Sequence, residues 1–290
     1  SKLKLNNINT HILDSELLLS YSLNLPREQV LINLETDITN SKFNLFKKLL
    51  YRRAKKEPIA YIINKKEFWR NDFYVNNDVL IPRPETEIIV EKILKIIQLK
   101  SSKSLLEIGT GSGCIIISIL KERINCIATA IDISKKAIDI AKFNAKMHHL
   151  ANKIKFININ IDKFKSYKYD FIVSNPPYIS TYDLKRLDRD VRLFEPSMAL
   201  DAGIDGLTEI KKLIFRSKNL LKKNGKLIFE IGRNQVVKVV QILNNNGFYI
   251  NKVCKDMQSY PRVIITTKTF WWTIIVVIEK IDLSLMVREI

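Results

Sequence analysis

From residue 104 onward, short apolar runs alternate with stretches that are apolar only every third or fourth position. SLLEIG (104–109), CIATAID (126–132), IKFININID (154–162), YDFIVSNPPY (169–178), GKLIFEIG (225–232) and GFYINKVCKD (247–256) predict strands. They are short, rich in β-branched residues and bounded by Gly, Asn or Asp. CIIISILKER (114–123), SKKAIDIAKFNAKMH (134–148), TEIKKLIFRSKNLLKK (208–223) and NQVVKVVQILNNN (234–246) carry the helical period. Short strands alternating with helices give the βαβ rhythm of a sheet covered by helices. The pattern therefore predicts an α/β fold with an open, mostly parallel sheet.

Ahead of it the texture is helical. DSELLLSYSL (14–23) begins with an Asp or Ser that could cap a helix, and FNLFKKLLYRRAKKE (43–57) sets Phe43, Phe46, Leu49 and Leu50 on one stripe. Pro58 is expected to end that helix. EFWRNDFYVNNDVLI (67–81) alternates apolar and polar residues around Asn-Asp and Asn-Asn, which predicts a β-hairpin. PRPETEIIVEKILKII then opens an amphipathic helix with Glu85 and Thr86 in its first turn. The expected division is a helical module over 1–65, a hairpin linker over 66–81, a sheet domain over 82–268 and an atypical tail over 269–290.

Composition narrows the class. A chain of 290 residues that is 46% hydrophobic and 27% charged can bury a sizeable core. Three scattered cysteines and three histidines, two of them adjacent, give neither a disulfide framework nor ligand spacing for a metal. The expectation is a cytoplasmic protein without a metal. The basic N-terminus has no continuous apolar core, and the longest apolar run, FWWTIIVVI (270–278), falls well short of the ~20 residues that span a bilayer. The formal net charge of +18 favours an acidic or nucleic-acid-rich partner. Lys42–Lys56 and Lys211–Lys226 each hold seven basic residues and no acid. They read as a contact with RNA or as solvated helix faces, and both readings stand.

Open α/β sheets take ligands beyond the C-terminal ends of their strands, near the point where strand order reverses. EIGTGSGC (107–114) lies at the end of the first strand. Gly109, Gly111 and Gly113, with Thr110 and Ser112 between them, let a ligand lie against backbone. The dinucleotide fingerprint wants glycine at its sixth position, where Cys114 stands, and Glu107 adds negative charge unsuited to a pyrophosphate. A cofactor with a cationic amino-acid tail fits better, and S-adenosylmethionine is one. Asp132, ending the next strand, is placed to accept ribose hydroxyls, and Asp162, ending the third, to accept an adenine amino group.

SNPPY (174–178) ends the fourth strand on the same rim. The Asn175 side chain offers a carbonyl, and Pro176 a backbone carbonyl with no N–H. Two fixed acceptors can hold both hydrogens of an –NH₂ group and aim its lone pair at a methyl donor. Tyr178 can lie on the flat face of an amide or base. Such a nitrogen is a poor nucleophile, so catalysis must come from position and desolvation rather than from a strong base.

These motifs resemble those of the release-factor glutamine methyltransferases, the PrmC/HemK family. The resemblance rests on VLIPRPETE (79–87), EIGTGSG (107–113), SNPPYI (174–179), EPSMALDAGIDGL (195–207), FEIGRNQ (229–235) and YPRV (260–263), in order over residues 10–266. It implies a Rossmann-like S-adenosylmethionine-dependent methyltransferase with a seven-stranded sheet and a small helical N-terminal domain. The implied reaction is N5-methylation of the glutamine in the Gly-Gly-Gln motif of peptide-chain release factors, with the helical module and basic faces gripping the factor near the ribosome. Carried over by residue, the resemblance puts cofactor contacts on Gly109 to Gly113, Asp132, Asp162, Lys163 and Asn175. It puts the substrate glutamine on Asn175, Pro176, Pro177 and Tyr178, with Arg83, Pro84, Glu85 and Thr86 lining the pocket. The family often has an aromatic where Lys163 stands, which leaves Lys163 and Phe164 as alternatives for covering adenine. The family usually ends on the strand beginning at Arg262, so the tail reads as an extension, a truncated fusion or an altered reading frame. Two rival readings remain: an adenine-N6 methyltransferase on DNA or RNA, and a non-catalytic RNA- or ribosome-binding protein on the same scaffold.

Overall fold

The computed structural model describes residues 2–32 and 37–268, so the expectations for 269–290 lie outside the described residues. The chain begins with α1 (Lys2–Leu5), α2 (His11–Leu23), α3 (Arg27–Ile32), α4 (Asn40–Ala54) and α5 (Ile59–Ile62). Leu18 of α2, Leu49 of α4 and Ile62 of α5 make a small shared core. Asp14 does not cap α2. That helix starts at His11, and Asp14 lies buried in its first turn. Its carboxylate pairs with Arg53 of α4 at 2.6 Å, a partner 39 positions away that local sequence does not reveal. The Phe43–Leu50 stripe is buried only at its centre, Leu49, and Phe43 stays exposed beneath the Lys47 ammonium. α4 also stops at Ala54, before Pro58, with Lys56 in left-handed backbone.

The expected hairpin is present as β1 (Lys66–Phe68) and β2 (Asn71–Phe73), antiparallel, and Phe68 and Phe73 plug the main core. A single 3₁₀ turn at Pro84–Thr86 leads into α6 (Glu87–Ile96). There follow β3 (Ser104–Ile108), α7 (Cys114–Glu122), β4 (Ile127–Asp132), α8 (Lys135–Met147), β5 (Ile154–Asn158) and β6 (Tyr169–Ser174). The chain continues through α9 (Arg189–Phe194), α10 (Thr208–Leu220), β7 (Leu221–Glu230), α11 (Val236–Asn245), β8 (Phe248–Lys255) and β9 (Pro261–Lys268). β3 to β9 form one seven-stranded sheet in the order β5-β4-β3-β6-β7-β9-β8, parallel except for β9.

Alternation along each strand divides the core. Leu105 faces α6 and α7, while Leu106 and Ile108 face the layer of α10 and α11. Two boundaries differ from the sequence pattern. The third strand of the sheet ends at Asn158, four residues before Asp162, which sits in a separate 3₁₀ turn at Ile161–Lys163. The cause is Asn158, whose amide donates to the carbonyls of Asp132 at 3.0 Å and Ile133 at 2.8 Å and closes the strand there. The helix expected to reach residue 223 ends at Leu220, because Leu221 joins the sheet beside Tyr169 and pairing overrides local helix propensity. Among the described residues, no helix is long and apolar enough to cross a membrane.

The Asp14–Arg53 pair yields a stability prediction. Asp14→Ala leaves a buried guanidinium without its counter-charge and costs about 3 kcal/mol. Urea unfolding followed by circular dichroism should show that loss, and the double variant Asp14→Leu/Arg53→Met should recover most of it.

Candidate active site

The order of the sheet decides where a ligand can lie. The chain runs outward from β3 through β4 to β5, then returns to start the other half at β6, so order reverses between β3 and β6. Their register sets Ile108 opposite Ser174. The Ser174 hydroxyl donates to the Ile108 carbonyl at 2.7 Å and ties the two strand ends together. The glycine loop and the Asn-Pro-Pro-Tyr segment thus leave the sheet side by side over one crevice.

The loop folds back onto β4. Gly109 and Thr110 both donate N–H to the Ile131 carbonyl, at 2.9 and 3.1 Å, and Gly111 donates to Asp132 Oδ2 at 2.9 Å. Gly109 and Gly111 have φ of +70° and +53°, and a Cβ on either would meet no atom within 4 Å, so open space lies over the backbone. Gly113 serves packing instead: a Cβ there would come within 3.0 Å of Ile117 and 3.3 Å of Ala141. The other Asp132 oxygen accepts from Ser134 N at 2.9 Å, and burial raises its pKa. The carboxylate is thereby oriented at the end of β4 with lone pairs left over.

Glu107 is 1% exposed. Thr110 donates its hydroxyl to Oε2, while Oε1 has no hydrogen-bond partner. Burial pushes this carboxyl up to about 8, with the Asp132 charge adding to the rise. A fully buried carboxylate oxygen lacking a donor, beneath an open glycine loop, suits a cationic ligand.

Across the crevice a second carboxylate is fully partnered. Glu230 ends β7 and is 1% exposed. It accepts the Thr86 hydroxyl on Oε2 at 2.6 Å and the Tyr178 hydroxyl on Oε1 at 3.1 Å. Burial pushes it up to about 7. Thr86 in turn accepts the Asn175 side-chain N–H at 3.0 Å. One N–H of the Asn175 amide is thus engaged, which leaves its carbonyl oxygen on the other side as an acceptor.

The other expected site residues divide. Asn175, Tyr178 and Thr86 converge, with Glu85 adjoining them. Arg83 is committed to a neighbour, pairing at 2.5 Å with the buried Glu195, whose second oxygen accepts Ile81 N at 3.2 Å. It pins the 79–87 segment to the 195 turn. Asp162 and Lys163 are exposed on their 3₁₀ turn, whereas the Phe164 ring is 3% exposed within the core and offers no free face.

Three bracing residues escaped sequence reasoning. Asn144 on α8 is fully buried; it donates to Ser112 O at 2.8 Å and Tyr74 O at 3.0 Å, and accepts Tyr74 N at 2.8 Å. An asparagine on an otherwise apolar helix face was the available signal. Gln235 donates to the carbonyls of Tyr178 and Gly206, both at 2.9 Å, and clamps the segment after Asn175. Glu230 is the third, and its signal was an acid closing the apolar run LIFE.

Part of each basic cluster is used internally. In the second, Lys211 pairs with Asp205, Lys212 with Glu209 and Lys222 with Asp170, while Arg216 donates to the carbonyls of Ile161 and Phe164. In the first, Arg53 and Arg52 pair with Asp14 and Glu57, and Lys56 donates to Asn7 O.

Known proteins share much of this sequence. Residues 1–63 match the family model "PrmC N-terminal domain" and 85–194 match "Methyltransferase small domain". A bifunctional methyltransferase of Rickettsia prowazekii is 41% identical over 282 residues, covering 90% of this chain and 54% of that protein. The chain therefore spans about half the length of the bifunctional relatives it matches. The crystal structure of a methyltransferase from Pyrococcus furiosus, 19% identical, covers 78% of this chain and 99% of that one with a TM-score of 0.53, a likeness of fold alone. A release factor glutamine methyltransferase of Clostridium acetobutylicum is 36% identical over 271 residues, covering 92% of this chain and 95% of that protein. By that end-to-end match, the chain belongs to the release factor glutamine methyltransferase family.

Proposed function

We propose that the chain transfers a methyl group from S-adenosylmethionine to the side-chain amide nitrogen of the glutamine in the Gly-Gly-Gln motif of peptide-chain release factors. The observation that carries this reading is the orientation of Asn175. One of its two N–H groups is given to Thr86, which turns the amide so that its oxygen lies on the other side as an acceptor for a ligand. With the Pro176 carbonyl it can take both hydrogens of a planar –NH₂ and turn the lone pair out of the acceptor pair. Tyr178, its hydroxyl tied to Glu230, supplies a ring for the flat face of the amide.

The donor site fits the residues present. Glu107 Oε1 lacks a hydrogen-bond donor that an ammonium would supply, Gly109 and Gly111 leave room above the backbone, and Asp132 presents lone pairs for a ribose. Asp162 is the acceptor for the adenine amino group, and the Lys163 stem rather than Phe164 covers the ring. S-adenosylmethionine supplies a methyl carbon made electrophilic by a sulfonium. The chain's own residues hold the accepting nitrogen still and dry, a contribution that effective-molarity arguments rate highly. The nitrogen becomes acidic only as it gains the methyl, so it sheds its proton without a strong base. The helical module over 1–65 and the hairpin over 66–81 would hold the factor against the domain over 82–268. Five of the fourteen basic residues in the two clusters are ion-paired within the chain, and the adenine-N6 reading stands as the alternative that the transfer experiment separates.

Two outcomes test this reading. Wild-type protein, labelled S-adenosylmethionine and release factor should give one added methyl on the Gly-Gly-Gln peptide by mass spectrometry. Asn175→Ala should lower that transfer about a hundredfold or more while cofactor affinity changes little. Label entering DNA or RNA instead would move the chain to the nucleic-acid methyltransferases.

The second concerns Glu107. Its folded pKa of about 8 lies above the ordinary carboxylate value, so the folded chain holds this proton more tightly than the unfolded one. Stability from this group is complete below the ordinary pKa and is lost as pH rises through about 8. Glu107→Gln should therefore flatten the decline in melting temperature between pH 5 and 8. It should also weaken S-adenosylmethionine binding about tenfold in calorimetry, the worth of one charge-assisted hydrogen bond.

A further inference from the structure

Asn175 can present its amide in two orientations of equal shape and opposite chemistry. One turns the carbonyl to the crevice and the other turns the –NH₂, and only the first can receive a substrate amide's hydrogens. Asn175 does not choose between them alone. Its partner, the Thr86 hydroxyl, can donate or accept, so Thr86 is also undecided in isolation. The choice is made one bond further on, where Thr86 meets Glu230 at 2.6 Å. An ionised carboxylate accepts only. The Thr86 proton must then point to Glu230, the Thr86 lone pair must face Asn175, and Asn175 must offer N–H to it. Both hydroxyls on Glu230 are subject to the same rule, since Tyr178 donates to its other oxygen.

We propose that Glu230 is a positioning residue that acts through Thr86 to hold the Asn175 carbonyl toward the crevice and through Tyr178 to fix the neighbouring ring. The relay links β7, the 3₁₀ turn before α6, and the segment after β6. Thr86 and Glu230 are 2% and 1% exposed, so water does not compete for these bonds. The inference rests on the methyl-transfer reading for its consequence, though not for its geometry.

The carboxylate titrates in an accessible range. Burial pushes Glu230 up to about 7; the Thr86 and Tyr178 hydroxyls and the Arg262 charge from β9 work against that rise, and Glu85 adds to it. A protonated Glu230 has one oxygen that donates. It then turns Thr86 round, and Asn175 with it, or it turns the Tyr178 hydroxyl away. The productive arrangement is thus favoured above pH 7 and lost below.

The test pairs kinetics with a readout that needs no substrate. The side-chain amide resonances of Asn175, followed by ¹⁵N NMR in the full chain, should titrate near pH 7 in wild type. They should lose that titration in Glu230→Gln and Thr86→Val and keep it in Thr86→Ser, which retains the hydroxyl. In methyl transfer to release factor, Glu230→Gln should lower kcat about tenfold, the worth of one misdirected hydrogen bond, with little change in KM for S-adenosylmethionine. It should also abolish an acid limb that wild type shows near pH 7. Thr86→Val should share the kcat loss, and Thr86→Ser should restore most of it. An Asn175 resonance indifferent to pH, an acid limb that survives Glu230→Gln, or a Thr86→Ser variant as impaired as Thr86→Val would overturn the relay. A titrating Asn175 in a wild type that transfers no methyl would instead overturn the substrate reading and leave the relay standing.

Discussion

The parallel pairing of β3 with β6 is the constraint on which the site depends. At this pair the strand order reverses, so the connections leaving the two C-terminal ends diverge to opposite faces and open a crevice between them. The Ile108–Ser174 register brings the ends level, and the Ser174 hydroxyl bonded to Ile108 O keeps them so. A slip of one residue would turn Glu107 out of its buried place and send every neighbouring side chain to the other face. Much of the remaining architecture braces these two loops. Asn144 reaches from α8 to the Ser112 carbonyl, and Gln235 reaches from the start of α11 to the carbonyl of Tyr178. Both are side chains doing work that backbone cannot do once it has left the ladder.

Two buried carboxylates face this crevice, and the difference between them is informative. Burial raises the pKa of both, yet Glu230 meets two hydroxyl donors while Glu107 has one oxygen without any. A buried polar atom is ordinarily satisfied. Of the two carboxylates, Glu107 is therefore the one the fold by itself leaves incomplete, and Glu230 the one it completes. The first is what a binding site needs and the second is what an aligning device needs. The Asp14–Arg53 pair, far off in the helical segment, shows a third arrangement in which an acid and a base satisfy each other and serve only cohesion.

The sheet, the covering helices and the glycine loop were legible because periodicity and glycine spacing are local signals, and Asn175 was legible because two prolines advertise a rigid strand end. The strand leading to Asp162 was read too long, since Asn158 closes it through side-chain bonds that no periodicity records. Leu221 was read as helix because its partner, Tyr169, lies 52 positions earlier in the chain. Asp14 looked like a cap for the same reason: the guanidinium that buries it is distant in sequence. Thr86 was read from the pattern only as a first-turn helix residue and as a pocket residue only through family likeness, and Glu230 was not singled out at all. Their role is a relation among residues 86, 175 and 230, visible only once three separate elements are brought together.

The two prolines after Asn175 complete the argument about direction. An ordinary peptide unit there would offer an N–H beside the acceptor oxygen, and a substrate amide could bind the wrong way round, carbonyl to donor. Pro176 and Pro177 remove both such donors; the Pro176 ring fixes its φ, and Pro177 behind it confines its ψ, so the Pro176 carbonyl is held in one direction. With one Asn175 N–H given to Thr86, the amide turns its carbonyl away from that bond, and the two prolines add no backbone donor beside it. On the methyl-transfer reading, such a rim favours a primary amide that approaches through its nitrogen. On that reading, selectivity for nitrogen over oxygen would arise from what this segment withholds as much as from what it offers.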